Sequence, residues 1–205
     1  LDSTVAGVVL TANGARVWNG DFVFTGTNDL DLGTGAVTVG GAGDRSVTVT
    51  GTLAVGEMKT TGTQGFTKLG TGTLVLTSDG ATAAASVVGG VLNVAAGTIQ
   101  INRASGVTGD LVGAGLIGSG NITNGAATER WFYSNAAGGT FDFSGSLSNG
   151  AAGALGFSKS GASTQILSGN NSFSGPTTIA GGTLVITGIN SLGGAVNIAG
   201  SAASP

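Results

Sequence analysis

Apolar and polar residues alternate along most of this chain with a period of two. Ser46-Val47-Thr48-Val49-Thr50 alternates strictly, as do Ala36-Val37-Thr38-Val39 and Thr98-Ile99-Gln100-Ile101. Leu92-Asn93-Val94, Phe141-Asp142-Phe143 and Val196-Asn197-Ile198 repeat the pattern. Successive side chains of a strand point to opposite faces, so each segment predicts a short strand with one apolar face. No apolar stripe runs at helical spacing, and good helix formers such as Lys, Glu, Arg, Gln and Met are scarce. Gly-Thr, Gly-Gly, Asn-Gly and Ser-Gly pairs separate the strands, and their glycines supply positive φ at low steric cost. Short strands at even spacing with glycine corners predict an all-β chain coiled as a parallel β-helix (β-solenoid), single-stranded and right-handed by the usual crossover rule. The rival, an antiparallel sandwich, calls for paired strands of matched length around two-residue turns, which are hard to find here.

A repeat supports the solenoid. The run from Gly65 to Ser78 aligns with Gly156 to Gly169 at a constant offset of 91, pairing Phe66 with Phe157, Lys68 with Lys159, Gly70 with Gly161, and Leu76 with Leu167. Allowing one inserted residue, Gly89-Gly90-Val91-Leu92 pairs with Gly181-Gly182-Thr183-Leu184, which puts the copies near 65–94 and 156–186. Coils of about 20 to 30 residues leave several coils between them. Residues 1–205 therefore read as a single β-helix segment, a fragment of a longer array. Val, Leu, Ile and Phe form its inward columns, Thr and Ser face outward, and Asn stacks at corners. Within Leu184-Val185-Ile186 the phase stays open between Val185 and the Leu184/Ile186 pair.

Phe157 to Ile186 resembles the autotransporter-associated β-strand repeat, also called the passenger-associated transport repeat. Lys159, Gly161, Leu167, Ser168, Gly169, Asn171, Phe173, Gly175, Thr177, Ile179, Gly182 and Leu184 fit that family's run. Ser163 and Gln165 depart from it where the family has glycine and an apolar residue, while the earlier copy has Gly72 and Leu74. The resemblance implies a segment of a secreted bacterial passenger that crosses the outer membrane through a C-terminal translocator β-barrel. It would then act extracellularly or at the cell surface. Each coil that folds outside buries apolar surface and hinders back-sliding.

Composition narrows the chemistry. The 205 residues include 41 Gly, 2 Pro, no Cys and no His, with 7 basic and 10 acidic residues. Zinc sites of the usual type and His-dependent triads are excluded. Scattered charges summing to −3 give no basic stripe for nucleic acid. No apolar run approaches the ~18 residues of a membrane helix, so no direct membrane insertion is expected. Absence of Cys suits export, since an early disulfide would obstruct threading.

Most motifs have plain structural readings. Gly113-Ala114-Gly115-Leu116-Ile117-Gly118 fits a dinucleotide-binding pattern without the helix that such a site opens. Asp44 after Gly40-Gly41-Ala42-Gly43 arrives one residue early for a calcium nonapeptide. Asp29 and Asp31 share one strand face, as a calcium site or a sugar-cleaving acid pair would need, or as solvated carboxylates would. Thr-x-Thr in Thr48-Val49-Thr50 and Thr71-Gly72-Thr73 suggests an ice-binding row but lacks a constant interval. Glu129-Arg130-Trp131-Phe132-Tyr133 concentrates charge and aromatics; Trp131 and Tyr133 would share a face, with Phe132 opposite. Arg130, Trp131 and Tyr133 are the candidate contacts for a host or matrix glycan or a protein. The expectation is a non-enzymatic stalk without metal or cofactor. A glycan-binding adhesin segment is the alternative, and a β-helix polysaccharide-degrading enzyme the remote one.

Overall fold

The computed structural model describes residues 1–78, 85–103, 110–151 and 153–199, and of Arg130 the backbone alone. Every regular element among them is a strand. The first coil holds β1 (Val8–Val9), β2 (Arg16–Trp18) and β3 (Phe22–Phe24). The second holds β4 (Leu30–Asp31), β5 (Val37–Val39) and β6 (Arg45–Val49), and the third β7 (Thr52–Val55), β8 (Met58–Thr60) and β9 (Phe66–Leu69). In the next two coils single long strands span two faces: β10 (Thr73–Leu76) with β11 (Ser86–Val94), then β12 (Thr98–Ile101) with β13 (Leu111–Ile117). There follow β14 (Asn121–Asn124), β15 (Arg130–Ser134) and β16 (Thr140–Phe143), then β17 (Ser146–Ser148), β18 (Leu155–Lys159) and β19 (Thr164–Leu167). The described end carries β20 (Thr177–Ile179), β21 (Thr183–Ile186) and β22 (Val196–Ile198).

All pairings between these strands are parallel, giving a β-solenoid of about 8 turns with three faces. The first face runs β1-β4-β7-β10-β12-β14-β17. The second follows β2-β5-β8, the start of β11 and β13, then β15-β18-β20-β22. The third follows β3-β6-β9 and the ends of β11 and β13, then β16-β19-β21. Leu30, Leu53, Leu74, Ile99, Ile122 and Leu147 stack in register inside the first face and are buried. Coil length follows from that column: Leu53 to Leu74 is 21 residues, and Leu74 to Ile99 is 25.

Alternation in the sequence translates into burial. Val37, Val39, Val47, Val49, Ile99 and Ile101 all point into the core. Leu184 and Ile186 share registers with Gln165 and Leu167, so they form the inward pair, and Val185 takes the outward parity beside Ile166. Phe141-Asp142-Phe143 obeys the pattern only at Phe143, which is fully buried, whereas Phe141 is half-buried. A Cβ on Gly115 would run into the Phe141 ring, so this ring lies against the outward-parity position of β13. There the third face is interrupted: among the described residues β13 and β16 are joined only by an isolated bridge from Gly118, just beyond β13, to Phe143.

The two repeat copies are one structural unit turned by one face. Thr73–Leu76 pairs with Thr98–Ile101, and Thr164–Leu167 pairs with Thr183–Ile186 in the equivalent register. Gly97-Thr98-Ile99 is therefore the counterpart of Gly182-Thr183-Leu184. The alignment of Gly89-Gly90-Val91-Leu92 with that segment is corrected. Gly89 and Gly90 lie inside β11, at the register shift between Val88 and Val91 where the strand rounds a corner.

Candidate functional site

Strand parity puts Trp131 and Tyr133 on the outside of β15 and Phe132 inside, where its ring stacks on Phe157 at 5.9 Å and 22°. Outside, the Trp131 and Tyr133 ring centroids are 5.9 Å apart with a tilt of 31°. Both rings are partly exposed. Gly156 is the register partner of Trp131, and a Cβ there would sit 2.8 Å from the indole, so the glycine lets the ring lie down on the next coil. Val112 and Ser158 flank Tyr133 in register. The Trp131 amide donates to Asp110 at 2.8 Å, fixing where the strand starts. Burial raises the Tyr133 phenol above its ordinary value, helped by the carboxylates of Asp110 and Glu129. The phenol stays protonated and can donate or accept a hydrogen bond. Arg130 opens the same strand in the register of Leu155, and its side chain lies outside the described residues. The arrangement is a small platform of two mutually tilted rings, each an apolar body with a polar tip, of the kind that can serve as a contact surface.

The carboxylates singled out in the sequence have structural work. Asp29 accepts the Thr52 amide at 2.8 Å, Asp44 the Gly65 amide at 2.7 Å, and Asp31 the Gly33 amide at 2.7 Å. Asp21 accepts the Ser46 amide at 2.8 Å, and Asp2 takes both the amide and hydroxyl of Thr27. Those bonds hold both acids below the ordinary carboxylate range. Four of these five acids thus tie one coil to the next. Among the described residues no three acids gather as a metal cluster. Gly113, Gly115 and Gly118 lie in or just after β13 rather than at a helix start. Asn stacking holds at one corner, where Asn171 donates to Asn190 at 2.6 Å.

Thr52, Thr73 and Thr98 do stack, in register on the outside of the first face, continued by Asn121 and Ser146. The row needs no Thr-x-Thr motif, since the positions two residues on are Ala54, Val75 and Gln100. A cleft of about 260 Å³ at the corner of the first coils is lined by Asn13, Thr34, Gly35 and Glu57, among others. Its carboxylate, Glu57, is ion-paired with Lys59.

Two features had no functional signal in the sequence beyond their place in the repeat. Lys68 and Lys159 are fully buried, and each ammonium donates to three backbone carbonyls. Gln165, also fully buried, reaches across the interrupted third face to the backbone of Leu116. These groups act on the backbone of the fold itself.

Fold and side-chain placement define a β-solenoid segment whose coils are tied together by polar groups at the corners. A family model, the passenger-associated-transport-repeat, matches residues 66–101 and 157–186, about a third of the chain. The first match extends to Ile101, as the register of β10 with β12 requires. No curated protein and no solved structure matches the chain.

Proposed function

We propose that this chain is a non-enzymatic structural segment of an autotransporter-type passenger: a β-helical stalk that promotes outward translocation and displays other modules. Its site of action is the bacterial surface or the exterior, and its partner in the full protein is a C-terminal translocator β-barrel. The observation that carries this reading is the pair of transport repeats built into one stack of parallel coils. Of the two acids that could have served catalysis, Asp29 ties one coil to the next and Asp31 holds the Gly33 amide of its own turn, which favours a scaffold over a glycan-cleaving enzyme. Two measurements test it. Antibody against the chain should label intact cells producing the full-length protein, and a polysaccharide panel should stay uncut. Cleavage lost in Asp29→Asn or Asp31→Asn would overturn the non-enzymatic reading.

A second reading rests on the outward Trp131–Tyr133 pair lying over Gly156. In it the segment is itself an adhesin that stacks a host or matrix glycan on these rings. A glycan-array hit abolished by Trp131→Ala at unchanged stability supports the adhesin. A blank array with unchanged tryptophan fluorescence supports the plain stalk.

A further inference from the structure

Lys68 ends up inside the solenoid with its Nζ on the carbonyls of Leu69 at 3.1 Å, Gly70 at 2.6 Å and Ala96 at 3.1 Å. Lys159 does the same with Ser160 at 2.5 Å, Gly161 at 2.9 Å and Gly181 at 3.3 Å. In each cage two acceptors belong to the lysine's own corner and one to the following coil. The lid is a glycine in both: a Cβ on Gly97 would stand 2.5 Å from the Lys68 ammonium, and one on Gly182 would stand 2.7 Å from that of Lys159. Both glycines have positive φ, at 65° and 67°. The same cage thus occurs at two sites, on different faces and several coils apart.

We propose that the lysine of each repeat is a lock between successive coils, closed by docking of the next coil. Before Ala95–Gly97 arrive, the Lys68 ammonium stands at a growing end and stays hydrated. Their docking exchanges that water for the Ala96 carbonyl, and Gly97 is the residue that fits over the ammonium without displacing it. A buried ammonium is stable only with its acceptors made, so partial undocking is disfavoured. The coil closes as a unit and resists reopening. Any contribution to export rests on the passenger reading; the lock itself is a property of the isolated chain and is tested there.

The experiment is native-state amide exchange combined with amine acylation of the 205-residue chain. The Ala95 and Thr98 amides, bonded to Lys68 O and Gly72 O, report opening of the coil over Lys68. Those of Ala180 and Thr183, bonded to Lys159 O and Ser163 O, report the second lock. Lys59, whose side chain is 49% exposed, is the internal control. Expected are rapid acylation of Lys59 and slow acylation of Lys68 and Lys159, at opening equilibria equal to those of their reporter amides. In Lys68→Met, exchange at Ala95 and Thr98 should speed about tenfold or more, because three carbonyls lose their donor, while Ala180 and Thr183 stay protected. Acylation of Lys68 in the wild-type chain while Ala95 and Thr98 remain protected would overturn the proposal, whether or not the variant folds. So would unchanged protection in a folded Lys68→Met.

Discussion

The carboxamide of Gln165 pairs with the backbone of Leu116 as a strand residue would: its Oε1 accepts the Leu116 amide at 3.0 Å, and its Nε2 donates to the Leu116 carbonyl at 2.8 Å. The two residues are 49 apart in sequence, with β16 between their strands. Ser134 donates to the same Oε1 at 3.3 Å. Phe141, whose register is that of Gln165, has its ring on Gly115, and the glutamine fills the interior beneath it.

This arrangement makes Gln165→Leu, the exchange that restores the repeat's usual apolar residue, a destabilising one. It strands a buried N–H and a buried C=O, each at about 1–3 kcal/mol, so chemical denaturation should show a loss of about 2–4 kcal/mol. Unchanged stability would mean that β16 closes onto β13 once the amide is gone.

Lys68 gives the stability a particular pH dependence. Burial pushes its amine down to about 8 from the ordinary 10.5, and burial lowers Lys159 in the same direction. Between those two pH values the unfolded chain holds more protons than the folded one, so stability rises with pH across that window. It is lost again as pH falls through 8. Tyr133, shifted upward, works the other way near and above 10, which makes the range from 8 to 9.5 the informative one. Urea midpoints should climb there in the wild type and climb less in Lys68→Met; parallel curves would contradict the assignment.

Glycine substitutions should separate by position. Gly97→Ala meets both a left-handed backbone and the Lys68 ammonium, and should cost about 2 kcal/mol or more. Gly14→Ala meets open space and should leave the melting temperature nearly unchanged. Equal effects at both positions would show that the corner at Gly97 relaxes freely.

The aromatic cluster predicts a split between neighbours. Phe132→Ala empties a stacked core position and should cost about 3–5 kcal/mol. Trp131→Ala, on the outside, should cost clearly less. The reverse order, read by thermal denaturation, would place the wrong face inside.

Much of this architecture is legible in the sequence because it is local. Val47 and Val49 announce their strand by alternation, and the spacing of Lys68 and Gly70 against Lys159 and Gly161 announces the repeat. The Trp131/Phe132/Tyr133 division follows from parity alone. What escapes is set by stacking across coils. The true partner of Gly182 is Gly97, because β11 spends extra residues rounding a corner that no local pattern marks. Phe141 looks like an inward residue until the missing side chain of Gly115 gives its ring another place. Thr52, Thr73 and Thr98 form a row that only the register reveals, since their spacing along the chain is uneven.

In the proposed stalk, coil-by-coil stacking of this segment assists its passage to the surface. The decisive measurement is pulse-chase protease shaving of cells producing the full-length protein, comparing the wild type with Leu147→Asp in the buried first-face column. Slower surface appearance and a protease-sensitive product are expected for the variant. Surface appearance at the wild-type rate with the solenoid demonstrably unfolded would contradict it.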